Sequence, residues 1–253
     1  MLRDASNKNS VSELIMHSIQ EWKSLPEVKK NLKMSPEEIV TVSINRDPMR
    51  VIHYDKNYFL SPADGFILYS KIVDPDDEIL RVKGGTYSVN TLLREQMESP
   101  SLVIGIFMTA YDVHINRIPT NGFVTYEKLL PLKVFNLSMR EVEHDILDRL
   151  RIREDQLKYA FYNERTLNKI FCPWINQHYY ILQIADFEVD VIVPFEDQNY
   201  FYTQGERFSL VRLGSQVDLV IPLAKDVHVE SLVDGKELWH VEAGTDKLVK
   251  ILR

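Results

Sequence analysis

The sequence predicts a single β-rich α+β domain with mainly antiparallel sheets and a few flanking helices. Of its 253 residues, 45% are hydrophobic and 26% are charged, a balance typical of a globular protein with a sizeable core. From about residue 38, short alternating or apolar runs are separated by turn residues, which is the pattern of strands. No internal repeat or linker divides the chain, so one compact domain is expected.

An amphipathic helix is predicted over residues 10–25, before the first strand. Ile19 and Trp22 share one side of it at helical spacing, with polar residues elsewhere. The apolar stripe could lie in a lipid interface, but packing on the body of the protein is favoured because the polar face is not strongly basic. We therefore assign residues 1–36 to an N-terminal amphipathic helical segment and residues 37–253 to the main domain.

The segments that follow are mostly predicted strands. A helix interrupts them and is predicted to begin near Ser138, where an S-x-x-E capping box is followed by the apolar stripe of Val142 and Ile146. The stretch NERTLNKIF is predicted to be a second, short helix, and strands return at residues 187–193. The predicted strands before the first of these helices are IVTVSI, MRVIHY, YFL, FILYSKIV and ILRVK.

Composition excludes several classes of function. The single cysteine, Cys172, cannot form an internal disulfide or a thiolate zinc site. A net charge of −7 argues against a nucleic-acid binder, and the first twenty residues lack the apolar centre of a signal peptide, so a cytoplasmic location is expected. Glu141/His144 and Glu237/His240 match the E-x-x-H spacing of di-iron bundles. A strand-rich chain does not offer four facing helices, so no metal is expected and the face around His144 reads as solvated.

Residues 205–222, GERFSLVRLGSQVDLVIP, place a hydroxyl on an apolar face. If this is one strand, the odd positions from Val211 to Ile221 face the core, with Ser215 at their centre. A buried hydroxyl without a partner costs about 1–3 kcal/mol, so its presence calls for an explanation. The alternative is that Gly214-Ser215 forms a tight turn that breaks the strand, and taken alone this alternative is favoured.

Two other polar segments are unremarkable when taken singly. SPADG reads as a turn in which Gly65 takes a positive φ and Asp64 caps the turn. Residues 107–122 alternate inward and outward, so His114 by itself reads as a solvated strand histidine.

Six segments in order resemble the phosphatidylserine decarboxylases and their archaeal-type relatives that act on archaetidylserine. Each motif is weak, but six in the family order, ending in an R-x-G-S-x-V-D strand, make a specific signal. The segments lie between about residues 58 and 222 and are SPADG, VKGGTYSVNTLL, DVHINR with the turn from Pro119 to Gly122, YNER, LQIA and GERFSLVRLGSQVDLVIP.

The resemblance implies a serine that makes its own cofactor. The hydroxyl of Ser215 would attack the carbonyl of Gly214, and cleavage between residues 214 and 215 would leave a pyruvoyl group at position 215. On the family pattern, His114 is the base and Asp64 is its orienting carboxylate, since a serine hydroxyl needs a neighbouring base. The pyruvoyl ketone would then take up the amine of the substrate as carbon dioxide leaves, with His114 as the expected proton donor.

The resemblance also implies the substrate and the setting. The substrate is a phosphatidylserine-type phospholipid that is converted to the ethanolamine form at a peripheral membrane surface, and a homodimer is a further expectation. Asn163, Glu164 and Arg165 of YNER are assigned a supporting structural role near the site. Two alternatives stay open: a pyruvoyl decarboxylase of a soluble amino acid or other non-lipid amine, and an uncut, non-catalytic binding protein. A serine hydrolase is disfavoured because no G-x-S-x-G elbow is present.

The chain departs from the family pattern at several positions. Arg117 stands where bacterial members have a second histidine, and Gln216 follows the cleavage serine where Thr or Arg is common. Asp186, Asp190 and Val191 stand where archaeal-type members commonly have a glycine and an arginine pair that could hold phosphate. The substrate is therefore less well determined than the pyruvoyl chemistry.

Overall fold

The structure is a computed structural model that describes residues 16–43, 46–82, 85–131, 136–187, 191–212, 215–224 and 226–252. Within these ranges it contains seventeen strands and six short α-helices. The strand pairs described are antiparallel throughout. The predicted β-rich α+β fold with mainly antiparallel sheets is therefore confirmed.

The strands form four sheets, and the largest contains nine strands. In chain order the strands are β1 (His17–Ser18), β2 (Tyr58–Leu60), β3 (Gly65–Val73), β4 (Leu80–Val82), β5 (Gly85–Tyr87), β6 (Ser101–Met108), β7 (Ile115–Arg117), β8 (Gly122–Leu129), β9 (Arg165–Cys172), β10 (Gln177–Ala185), β11 (Ile192–Pro194), β12 (Tyr200–Tyr202), β13 (Arg207–Val211), β14 (Ser215–Pro222), β15 (His228–Ser231), β16 (Trp239–Val241) and β17 (Lys247–Leu252). The large sheet has the order β1-β16-β3-β6-β14-β10-β9-β8-β12, and the smaller ones β11-β13-β7, β15-β17-β2 and β4-β5.

The helices are short. They are α1 (Ile19–Ser24), α2 (Pro26–Asn31), α3 (Pro36–Glu38), α4 (Val89–Leu93), α5 (Arg140–Leu147) and α6 (Tyr159–Tyr162), with a π-helical turn at Ile39–Ser43 and a 3₁₀ turn at Glu154–Gln156. Within the described ranges, no helix has both the length and the apolar character needed to cross a bilayer.

The N-terminal helix α1 begins later than the sequence predicted. Ser18 caps it: the Ser18 hydroxyl accepts a hydrogen bond from the Glu21 N–H, and the Glu21 carboxylate accepts one from the Ser18 N–H. Ile19 and Trp22 are both buried, so the predicted packing of this helix on the body of the protein is confirmed for these two side chains. The predicted part of the helix that falls within residues 1–15 lies outside the described residues.

Strand β14 lies between β6 and β10 in the middle of the large sheet and is buried on both faces. Val217 and Leu219 belong to one apolar cluster, and Val220 belongs to another on the opposite face. Gln216 and Asp218, which the sequence placed away from the core, are therefore fully buried as well. The alternation of side chains along β14 therefore separates two buried faces of the strand, rather than a buried face from a solvent-exposed one.

Three predicted elements have a different structure. Residues 39–43 of IVTVSI form a helical turn, and residues 49–54, MRVIHY, have no regular secondary structure. The stretch NERTLNKIF was predicted as a helix but supplies strand β9, whose two edges pair with β8 and β10. Two neighbouring strands outweigh a weak local preference for helix. The other early segments, YFL, FILYSKIV and ILRVK, supply strands β2, β3 and β4 as predicted.

The helix predicted from Ser138 is present as α5 but begins at Arg140. The Ser138 hydroxyl accepts from the Arg140 N–H, so the serine stabilises the entry of the helix without forming the predicted capping box. Val142 and Ile146 are buried as expected. The helix face around His144, which was predicted to be solvated, is only partly exposed, because Asp145 is buried.

Candidate functional site

Ser215 is the first residue of β14 and is completely buried. Its Cα pairs with that of Met108 at the end of β6 and with that of Ala185 at the end of β10. Its hydroxyl donates to Met108 Sδ over 3.0 Å. A thioether is a weak acceptor, so this hydroxyl is loosely held and can turn to a stronger acceptor at little cost. Gly214, the other half of the predicted cleavage site, lies outside the described residues.

His114 lies between β6 and β7 and is completely buried, not solvated as its position in an alternating segment indicated. Its Nδ1 is 3.0 Å from the backbone oxygen of Asp112. Because a carbonyl oxygen only accepts hydrogen bonds, Nδ1 carries the proton and Nε2 has the free lone pair. Across the described part of the chain, Nε2 finds no hydrogen-bond partner. Burial lowers the pKa of His114, which keeps the imidazole neutral and Nε2 available as a base.

Asp64 is buried immediately before β3 and is neutralised by an arginine. Both of its oxygens accept from Arg50, each over 2.6 Å, and Oδ1 also accepts from the Ala243 N–H over 2.8 Å. Neither ring nitrogen of His114 is hydrogen-bonded to Asp64, since Nδ1 is held by the Asp112 carbonyl and Nε2 is free. The orienting role assigned to Asp64 stays a prediction, and the structure offers Asp112 as the residue that contacts the imidazole.

The three predicted residues converge on one end of the large sheet. Strands β3 and β14 flank β6 and run antiparallel to it, so the starts of β3 and β14 meet the end of β6. Asp64 precedes β3, Ser215 begins β14, and Met108 ends β6. Two strand spacings separate Asp64 from Ser215, about 10 Å. The Val211 N–H donates to the backbone oxygen of His114 over 3.0 Å, which ties the histidine to the strand just before Ser215.

A cleft of about 300 Å³ opens beside Asp64 and is also lined by Asp112 and His240. The irregular segment 46–50 lies along it. Arg46 donates to the backbone oxygens of Tyr111 and Asp112, which attaches this segment to the loop that carries His114. The segment along the cleft therefore begins before the predicted strand MRVIHY and includes its first two residues, Met49 and Arg50.

A comparison with known families identifies the chain. The sequence model of the phosphatidylserine decarboxylase family matches residues 39–246. The chain belongs to the phosphatidylserine decarboxylase family. The matched range contains Asp64, His114 and Ser215, and it includes all of the large sheet except β1.

Individual relatives agree with this membership. A phosphatidylserine decarboxylase proenzyme of Erythrobacter litoralis is 30% identical over 180 residues, which cover 70% of this chain and 61% of that protein. One of Novosphingobium aromaticivorans is 29% identical over 186 residues, 73% of this chain and 64% of that protein. A candidate archaetidylserine decarboxylase proenzyme of Methanothermobacter thermautotrophicus is 30% identical over 186 residues, 74% of this chain and 72% of that protein. The chain spans less than two thirds of the length of the two bacterial relatives.

The YNER motif of this family member supports the strand opposite Ser215. The Asn163 side chain donates to the backbone oxygens of Leu137 and Ala185, and its Oδ1 accepts from the Leu137 N–H. The Ala185 N–H donates in turn to the backbone oxygen of Glu164. Asn163 is the C-terminal cap of helix α6. These contacts fit the supporting structural role predicted for the motif.

Arg165, the last residue of the motif, has an unusual environment. It is 3% exposed, and neither its Nε nor its Nη1 has a hydrogen-bond partner in the described ranges. Burial lowers its pKa. Its register places it opposite Ile184, which is itself opposite Gln216, so Arg165 lies on the face of the sheet away from the Ser215 side chain.

A buried polar network lies on that same face, behind Ser215. Asp218 accepts hydrogen bonds from Tyr69, Tyr87 and Gln216 over 2.9, 2.5 and 2.7 Å. Tyr159 donates to the other end of the Gln216 amide over 2.7 Å. Burial raises the pKa of Asp218 to about 6, although its three donors act in the opposite direction. The network holds the beginning of β14 from the side opposite the Ser215 hydroxyl.

Sequence reasoning missed two cleft residues of this decarboxylase-family chain, Arg50 and His240. Arg50 fell in a segment predicted as a strand, and no pattern connected it with Asp64. The E-x-x-H spacing did single out His240, but for metal binding, whereas the structure pairs His240 with Asp112. Among the described residues, no three His, Cys, Asp or Glu side chains group closely enough to hold a metal ion.

Arg117 occupies the position of the second histidine found in bacterial members. Its Nη1 donates to the backbone oxygen of Gly205 over 2.8 Å, and its Nη2 is 3.5 Å from Asp47 Oδ1. Asp186, at another departure from the family pattern, accepts from the Met139 N–H and so stabilises the entry of α5. Both residues therefore have structural partners of their own.

Proposed function

We propose that this chain is the precursor of a pyruvoyl-dependent decarboxylase that cuts itself between Gly214 and Ser215 and then acts on a phosphatidylserine-type phospholipid. One observation carries the proposal. A buried hydroxyl with only a weak acceptor begins a central strand at the end of the sheet where a buried neutral histidine keeps an unpartnered Nε2. The word "proenzyme" in the names of the relatives supports a self-processing step.

In the cleavage step, Ser215 Oγ attacks the carbonyl carbon of Gly214 while His114 Nε2 takes the hydroxyl proton. The acyl group moves from the nitrogen of Ser215 to its oxygen. Removal of the Cα proton of residue 215 then forms a Cα=Cβ double bond, breaks the bond from Cβ to that oxygen and frees the carboxylate of Gly214. Hydrolysis releases the nitrogen as ammonia and leaves a ketone at position 215. The negative charges of Asp112 and Asp64 oppose the effect of burial on His114 and so favour the imidazolium that forms.

The environment of position 215 fits such a group. The ketone supplies a strong electron-withdrawing centre to an amine substrate as carbon dioxide leaves. Met108 and Val217 belong to the apolar cluster on this face of the sheet, and loss of a carboxylate's charge is easier away from water. Protonated His114 can return its proton to the substrate carbon once the carboxylate has gone.

A lipid substrate and a membrane surface are supported by the family and by side chains beside the cleft. Met49 lines the cleft and is 99% exposed, while Val51 and Tyr54 in the same segment are 72% and 60% exposed. Exposed apolar side chains at the mouth of a cleft are suited to a bilayer interface. We therefore infer that this segment faces the membrane during peripheral association. The expected homodimer stays a prediction, which sedimentation can test.

The first experiment asks whether the chain is cut. Intact mass spectrometry of the purified protein should find fragments 1–214 and 215–253, with a pyruvoyl group beginning the second. Ser215→Ala should remain a single chain without activity. A folded, active Ser215→Ala variant would overturn the mechanism.

The second experiment separates the substrates. The cut protein is given phosphatidylserine in vesicles and, in parallel, free serine and other soluble amino acids. Carbon dioxide from the vesicles alone supports the lipid. Release from the soluble amines alone supports the alternative decarboxylase, and an uncut, inactive chain supports a binding protein.

A further inference from the structure

A histidine that lines the cleft, His240, has no part in the mechanism above. Its Nε2 lies 2.7 Å from Asp112 Oδ1, and the two side chains are only 6% and 2% exposed. Burial disfavours the charge on His240, but the Asp112 carboxylate, with smaller contributions from Asp64 and Glu242, raises the pKa of His240. The Asp112 carboxylate therefore favours the protonated, positively charged form of the His240 imidazole.

The ring of His240 is held firmly. It stacks on Trp22 with centroids 5.2 Å apart and planes at 27°, and it meets Phe66 edge-on at 5.1 Å. Its backbone belongs to β16, which pairs with β3 on one side and β1 on the other. Because the His240 ring is held in this way, it also fixes the position of the Asp112 carboxylate that is hydrogen-bonded to it.

Asp112 connects that ring to the base. Its second carboxylate oxygen accepts from the N–H and the hydroxyl of Thr109, over 2.7 and 2.8 Å, so both oxygens are held. Its backbone oxygen accepts from His114 Nδ1 over 3.0 Å and from Arg46 over 3.4 Å. With the side chain anchored on two sides, the direction of this carbonyl is fixed, and the carbonyl decides which nitrogen of His114 carries the proton.

We propose that His240 is a positioning residue for self-cleavage: through Asp112 it holds His114 in the tautomer whose Nε2 lone pair is free. This inference rests on the proposed function, because it takes His114 to be the base. A histidine base commonly has its tautomer set by a partner on the other ring nitrogen. In this chain that partner is a backbone carbonyl, and the buried pair of Asp112 and His240 directs it.

The test follows conversion of newly made full-length chain to its two fragments in pulse-labelled cell-free synthesis. His240→Leu should slow cleavage by about tenfold or more, because a misplaced base loses part of the roughly 10²–10⁴-fold that general-base catalysis contributes. His240→Gln keeps an N–H donor for Asp112 and should restore most of the rate. The matched control is Asp145→Asn. Asp145 is a buried residue of α5 whose carboxylate is held by Arg149 and Arg151, and this variant should be cleaved at the normal rate.

A spectroscopic measurement separates positioning from general stability. In the uncut Ser215→Ala protein, ¹⁵N chemical shifts of the His114 ring should show a protonated Nδ1 and a bare Nε2. Adding His240→Leu should produce a mixture of tautomers, which a merely structural role would not. If His240→Leu does not fold, Thr109→Val loosens the same carboxylate more gently and should slow cleavage, with Thr109→Ser restoring it.

The outcomes are distinct. If the wild-type chain is not cut, the proposed function fails and this inference fails with it. If the wild-type chain is cut, and folded His240→Leu or Thr109→Val is cut as fast with an unchanged His114 tautomer, only this inference is overturned. The inference would also be overturned if His240→Leu slowed cleavage only as much as Asp145→Asn does while lowering the Tm by the same amount.

Discussion

Two buried carboxylates line the same cleft but are neutralised by different cations. Asp64 is held by Arg50 at 2.6 Å, and Asp112 is held by His240 at 2.7 Å. A guanidinium stays charged at any physiological pH, whereas an imidazole titrates near neutrality. The Arg50–Asp64 pair therefore keeps its charges at any physiological pH, whereas the charge of the His240–Asp112 pair changes with pH. The proposed base, His114, is attached to the pair whose charge changes.

The largest effect is expected from breaking the constant pair. Arg50→Leu leaves Asp64 buried without its cation, and removing one partner of such a pair costs about 3–5 kcal/mol of the free energy of unfolding. Urea unfolding of the uncut Ser215→Ala protein measures this loss. The matched control is Arg153→Leu, since Arg153 pairs with Asp155 on the solvent-exposed surface and its loss should change stability far less. Equal stability of the two variants would contradict the comparison.

The titratable pair should make stability depend on pH above about 6.5. Because the folded-state pKa of His240 is raised, its contribution is complete below the unfolded value of about 6.5 and is lost as pH rises through the folded value. Glu143, Asp218 and Asp246, whose pKa values burial raises to about 6, also lower stability as pH rises through that value, but they do so equally in the wild-type chain and in His240→Gln. Urea unfolding between pH 6 and pH 9 should show the decline, and His240→Gln should flatten it. A decline of the same steepness in that variant would rule out His240 as its source.

Self-cleavage should have an acidic limit below the ordinary histidine pKa of about 6.5. Burial lowers the pKa of His114, so Nε2 stays unprotonated at pH values where an exposed histidine is a cation. The rate of fragment formation, followed from pH 5 to pH 8, should fall with a midpoint below 6.5. Asp64→Asn should move that midpoint lower still, because it removes a charge that favours the imidazolium. A midpoint at or above 6.5 would exclude His114 in this environment as the base.

The smallest effect is expected at the surface beside Arg50. Met49→Ser should reduce binding to phosphatidylserine vesicles by about tenfold or less, as expected for one exposed apolar side chain, and should leave stability unchanged. Ile72→Ser is the control, since Ile72 is 63% exposed on β3 and does not line the cleft. Flotation with vesicles compares the two. If Ile72→Ser weakens binding as much as Met49→Ser does, residues 49–54 are not the membrane-facing segment.

Elements whose residues contact near neighbours were predicted well. Gly65 takes a positive φ, +149°, as the SPADG turn predicted. Val142 and Ile146 are buried on α5, as their spacing indicated. In these cases the local pattern contained the information that decides the structure.

Elements whose environment is set by distant chain were predicted poorly. The stretch beginning at Arg165 became a strand because β8 and β10 pair with its two edges. Gln216 and Asp218 are buried although alternation placed them outward, since the large sheet is covered on both faces at β14. His114 is also buried, in the segment between β6 and β7. An alternating pattern distinguishes two faces of a strand but does not say whether the second face meets water.

By itself, the sequence predicted strands β2 to β4 and the family, and its resemblance to that family nominated the three side chains of the candidate site. Only the tertiary structure decided which cations neutralise the two carboxylates and which group holds the imidazole. Arg50 lies 14 residues from Asp64, and His240 lies 128 residues from Asp112. His240 is placed by the pairing of β16 with β3, whereas Arg50 is placed by the irregular segment along the cleft. Burial then makes an unpaired charge too costly to keep.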